Sequence, residues 1–95
     1  MKIQALHAED KAVSAISMFK GTEGVVISLQ ILQDELLKEH STKVPALLCC
    51  VIGEALFENE KGDSIHLKSG DYVLIEENVV HRVKGITKCN LLLMK

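Results

Sequence analysis

Four histidines and three cysteines carry most of the chemistry that the side chains of this sequence can offer. His40 closes a strand-like stretch at the mouth of a loop, and His81 opens another stretch after a tight turn. Imidazoles placed like this can ligate metals, move protons or orient polar ligands. Taken singly, each reads as a surface or internally bonded histidine. His66, between turns, and His7, near the start, read as solvated. Cys49, Cys50 and Cys89 are odd in number and contain no CxxC pair, which argues against a disulfide framework and for a reducing, cytoplasmic setting. On a strand the adjacent Cys49 and Cys50 face opposite ways, so no bond joins them. All three read as small buried apolar residues. The acidic pairs Asp34-Glu35 and Glu76-Glu77 read as solvated turns. Phosphate-cradling glycine loops, a nucleophile elbow and an HExxH helix are all absent.

The elements that must position these side chains are short. Glycines at 21, 24, 53, 62, 70 and 85 cut the chain into pieces, the strand-and-turn pattern of an all-β protein. Ala12 to Lys20 reads as a strand, and Gly21-Thr22-Glu23-Gly24 as a turn. Val25, Ile27, Leu29 and Ile31 then mark one face of a second strand. A rival reading coils residues 29–40 into a helix, because QDELLKE is rich in helix formers. Ala46 to Ile52 is apolar on both faces, as in a central strand covered on both sides. Strands follow at Ser64 to Leu67, Tyr72 to Ile75, Val79 to Val83 and Cys89 to Met94. Asn78 is suited to the left-handed conformation of a tight turn. Eight or more short strands make a sandwich or barrel. The first dozen residues fit no clear element.

Composition sets the outer limits. The chain has 95 residues, enough for one domain over 1–95 and no second core. With 13 acidic and 11 basic residues the net charge is −2, which weighs against a nucleic-acid partner, whose first requirement is a basic face. Apolar residues are 47% and charged residues 25%, the balance of a folded domain. The apolar run 44–52 falls far short of the roughly 20 residues of a membrane helix, so no membrane partner is expected. The opening MKIQALHAED meets acids where a signal peptide has its apolar segment, which argues against secretion. Phe19, Phe57 and Tyr72 are the only aromatics of their kind, so Leu, Ile and Val must build the core.

The spacing from Asp34 to Gly85 resembles the two motifs of a small single-domain cupin. The first runs glycine, five residues, His-x-His, three or four residues, glutamate, six residues, glycine. His40 and Gly53 match it; Asp34, Thr42 and Ala46 stand at its opening glycine, second histidine and glutamate. The second runs glycine, five residues, Pro-x-Gly, two residues, histidine, three residues, asparagine. Gly70 and His81 match it; Glu76, Asn78 and Gly85 stand at the other three positions.

The resemblance implies a jelly-roll barrel of two packed antiparallel sheets with a pocket at one mouth. In the family three histidines and a glutamate hold a divalent metal there, and His40 and His81 are the two ligands retained. A site so reduced would hold zinc, iron, manganese or nickel at low occupancy, and no organic cofactor is implied. Thr42, Ala46, Leu48 and Cys50 would line the pocket and make its wall largely apolar. Leu47, Cys49 and Val51 would face outward, an apolar strip that a second subunit covers in a homodimer. The expected function is binding of a small molecule, its carboxylate or carbonyl oriented by the two histidines. The alternatives are a metal-dependent enzyme of dioxygenase or isomerase type, and a structural or partner-binding barrel.

Overall fold

Strict alternation along the strands decides which side chains face the interior. The computed structural model describes residues 1–95. It contains nine strands: β1 (Val13–Lys20), β2 (Val25–Ile31), β3 (Leu36–His40), β4 (Ala46–Ile52), β5 (Ala55–Asn59), β6 (Ser64–Leu67), β7 (Tyr72–Ile75), β8 (His81–Gly85) and β9 (Cys89–Met94). They form a five-stranded sheet in the order β1-β2-β9-β4-β7 and a four-stranded sheet in the order β3-β8-β5-β6. Every pairing is antiparallel. The fold is therefore all-β, a jelly roll of two packed sheets. The one helical element is a 3₁₀ turn, Ile3–Leu6, and no helix is long and apolar enough to cross a membrane.

The helical reading of residues 29–40 is overturned. Leu29 and Ile31 pair with Leu91 and Cys89 inside the large sheet, and β3 starts again at Leu36. Burial of the β2 face outweighs the helix propensity of QDELLKE, as tertiary packing commonly does. The last third differs in one strand, which runs His81–Gly85 rather than 79–83. Val79 and Val80 stay in a loop held by Glu60, and the strand begins at His81.

One face of the large sheet fills the barrel. Ile31, Leu29, Leu91, Leu93, Leu48 and Cys50 meet Phe57, Val83 and Leu67 from the small sheet in a cluster of 13 buried residues. Ala46, Leu48 and Cys50 all belong to it, as the alternation predicts. Leu47 and Cys49 lie on the other face. A bulge between Cys50 and Ile52 gives the next paired position to Ile52, opposite Asn90, rather than to Val51. Cys50 and Cys89 are buried thiols and Cys49 is half-buried; none is bonded to another. Burial raises the pKa of Cys50 and takes Cys89 to about 11.

Backbone conformation corroborates the motif register. Five residues have positive φ: Asp34 (64°), Gly53 (83°), Gly62 (89°), Gly70 (92°) and Asn78 (61°). Four of them, all but Gly62, stand where the two cupin motifs carry glycine. Asp and Asn are the residues that best tolerate this region after glycine. The geometry of the motifs is thus kept where their residue types are not.

Candidate functional site

β3 is an edge strand of the small sheet and β8 is its neighbour. Their pairing sets His40 opposite His81, after an irregularity in register beyond Leu37. Residues opposite each other on antiparallel strands point to the same face. His81 follows Phe57 and Val83 inward and is 3% exposed, while His40, at the rim, is half-buried. The two ring centroids lie 4.3 Å apart with planes tilted by 58°. Phe57 stacks on His81, with ring centroids 5.7 Å apart. The two sequence-predicted histidines, 41 positions apart in the chain, are therefore in contact.

Each ring is anchored in the same way. His40 Nδ1 is 2.9 Å from the carbonyl of Lys38, and His81 Nδ1 is 3.2 Å from that of Val79. A carbonyl only accepts, so both Nδ1 atoms carry the proton and donate it. That leaves Nε2 with the free lone pair in each neutral ring. Burial pushes the His81 pKa below 6.5; the Val79 hydrogen bond opposes this and the charge of a protonated His40 adds to it.

Tethering Nδ1 to a carbonyl is also how proteins orient a metal-binding imidazole. The rest of the donor set does not fit a resident catalytic metal. No group of three His, Cys, Asp or Glu side chains comes together in the structure. Thr42 gives its hydroxyl hydrogen to the Val44 carbonyl, at 2.7 Å. Ala46 contributes only a methyl, and Cys50 directs its thiol to the carbonyls of Gly53 and Ile52. Two neutral imidazoles lack both the third ligand and the negative charge that catalytic sites ordinarily supply.

A groove of about 620 Å³ opens along the seam between the sheets, where the free edges of β1 and β3 face one another. Ala12, Val13, Leu36, Leu37 and His40 line it with Glu35, Lys38 and Glu39. Val13 and Leu37 also pack against the core, and of the histidine pair only His40 stands on the groove wall. Thr42, Ala46, Leu48 and Cys50 are not among its lining residues. A smaller cleft of about 100 Å³ lies beside His81, where Arg82 spans Glu39 and Glu58 at 3.0 and 3.2 Å.

His7 departs from its sequence reading. It is buried, not solvated, and bridges Ser14 of β1 (2.7 Å) and Ser28 of β2 (2.9 Å) on the outer face of the large sheet. Burial lowers its pKa. It fastens the N-terminal 3₁₀ turn to the barrel. No local pattern announces this, because its partners lie 7 and 21 residues away. His66 is exposed as expected and pairs with Glu54 at 3.2 Å.

Solved structures resemble the whole of this architecture. A cupin superfamily protein from Desulfitobacterium hafniense superposes with a TM-score of 0.86 at 15% identity, over 98% of this chain and 84% of that one. A cupin-2 domain protein from Shewanella frigidimarina gives 0.80 at 12% identity, over 97% and 86%. An RmlC-like cupin with a double-stranded β-helix fold from Methanocaldococcus jannaschii gives 0.78 at 15% identity, over 94% and 84%. No family model matches the sequence. No curated protein matches it either. The chain thus has the fold of these small cupin proteins.

Proposed function

We propose that the protein binds a small molecule in the seam groove, with the His40–His81 pair as its polar recognition point and without a resident metal. The observation that carries this reading is the pair itself: two imidazoles in contact, both tethered through Nδ1, with His40 on the wall of a half-apolar groove. Small-molecule sites typically combine a concave volume of about 300–1,000 Å³ with apolar walls and a few convergent polar groups. Divalent metal at the two histidines is a weak, secondary property in this reading. The partner is a second copy of the chain, packed on the outer face of the large sheet, where Phe19, Tyr72 and Leu74 are each more than half exposed.

A fragment screen followed by amide NMR tests the groove. Hits are expected to shift Val13, Leu37 and His40 together, and to weaken by about tenfold in His40→Ala, the loss of one well-placed polar contact. Hits that scatter over the surface, or that ignore the substitution, would refute it.

A further inference from the structure

We infer that residues 1–11 form an acid-released strap: protonating His7 frees them from the outer face of the large sheet while the barrel stays folded. The segment is fastened at one point. Met1 to Ala12 are all exposed except Ile3, which is half-buried, and His7. His7 alone among their side chains bonds to the barrel, with Nδ1 2.7 Å from Ser14 Oγ and Nε2 2.9 Å from Ser28 Oγ. The Ala5 N–H turns back to the Lys2 carbonyl, within the segment. The backbone joins the barrel at Ala12, whose carbonyl accepts from Leu32 N at 3.0 Å, and β1 begins at the next residue. That bond is the natural hinge. A segment with so little buried surface opens locally at small cost.

The row beneath favours opening. Ser14, Ser28, Gln30 and Asn90 point out of the sheet, yet none is more than 4% exposed. Gln30 Oε1 accepts from Asn90 Nδ2 at 3.2 Å, while Gln30 Nε2 is sealed without an acceptor. Water admitted to this row gives that donor a partner. The ring supplies the trigger. A neutral imidazole accepts from one serine and donates to the other. A second proton makes both nitrogens donors, so the serine that donated must turn its hydroxyl hydrogen away inside a buried site. No charge steadies the cation. Around it β1 and β2 present Ser14, Ile16, Ser28 and Gln30, and β9 presents Asn90 and Leu92. Lys2, Glu9, Asp10 and Lys11 of its own segment stand in solvent. Burial accordingly holds His7 below the ordinary 6.5. Once lifted, the ring is solvated and titrates ordinarily. The open population therefore grows as pH falls below 6.5, by up to about tenfold per pH unit for one proton.

The test is nitrogen-15 relaxation of the full chain at about pH 7.5 and about pH 5, on either side of the ordinary imidazole pKa. At the higher pH the amides of residues 3–8 are expected to be as rigid as those of β2. At the lower pH they should become mobile on the picosecond-to-nanosecond scale, and the Gln30 side-chain amide should exchange faster with water. The amides of β4 and β9 should keep their positions throughout. His7→Ala should free the segment at both pH values. His7→Gln, which cannot titrate, should give the same relaxation at both. A segment that stays rigid at the lower pH, that is mobile at both in the parent, or that stays rigid in His7→Ala overturns the inference. So does a pH response that survives His7→Gln. Loss of the β4 and β9 resonances together with the change at residues 3–8 also overturns it, because acid would then unfold the barrel rather than release a strap.

Discussion

His7 and His81 are two buried imidazoles with opposite prospects. His81 keeps one nitrogen free, whereas both nitrogens of His7 are committed to Ser14 and Ser28. Burial lowers both pKa values from the ordinary 6.5. Between the folded and unfolded values the unfolded chain binds more protons, so stability rises with pH across that window. It is lost as pH falls below 6.5 and levels off once both states are protonated. Urea unfolding at about pH 7.5 and about pH 5.5 should show the drop, and His7→Gln should remove part of it. His7→Ala should cost about 1–3 kcal/mol at the higher pH, because it strips two buried hydroxyls of their partner. A variant whose pH slope parallels that of the parent would show that His7 titrates alike in both states. The meeting of His40 and His81 was legible through motif spacing alone. Their Nδ1 tethers were not, because each depends on the local path of the backbone carbonyl two residues back.

Among elements, the turns explain how the barrel keeps its shape with a weakened motif. Asp34 ends the approach to β3 and Asn78 the approach to β8, the two strands that carry the histidines. Their left-handed conformations hold the turn geometry that glycine gives more cheaply. Asp34→Gly should therefore be neutral to stabilising, by up to about 1 kcal/mol. Gly85 is the reverse case. It accepts from Asp34 N and donates to the Glu35 carbonyl, at 2.7 and 2.9 Å. A Cβ there would lie 2.5 Å from the Leu32 carbonyl oxygen, which is backbone and has little room to yield. Gly85→Ala should cost about 1–3 kcal/mol as overpacking, read by thermal melting. An unchanged midpoint would show that the β2–β3 turn is pliant. Alternation and glycine punctuation exposed β1, β2, β4, β6, β7 and β9 in the sequence. β3 was obscured by helix-forming residues, and the seam groove by its position between edge strands that share no local pattern.

At the scale of the molecule, the outer face of the large sheet is divided. Phe19, Val26, Met94, Leu47 and Leu74 form one cross-strand row without a charge, spanning all five strands. Two rows further on, Ser14, Gln30 and Asn90 form a polar row beside His7. The N-terminal turn attends to the polar end, and the apolar end is where the proposed second copy would pack. An uncharged surface meets its own image without like-charge repulsion, as a two-fold contact demands. Phe19 is 64% exposed and Leu74 69%, so charges placed there should spare the isolated fold. Light scattering at micromolar concentration is expected to give a dimer for the parent and a monomer for Phe19→Asp combined with Leu74→Asp. A parent that stays monomeric as concentration rises would refute the contact.

The distribution of the thiols makes the protein its own gauge. Cys49 sits beside that uncharged row, opposite Leu92 and Tyr72, while Cys50 and Cys89 are shut in the core. If the proposed dimer forms, an alkylating reagent meets one sulfur when two copies part, and the other two only when the barrel opens. Counting modified sites in a mass spectrum separates disassembly from unfolding in a single tube, with no engineered label.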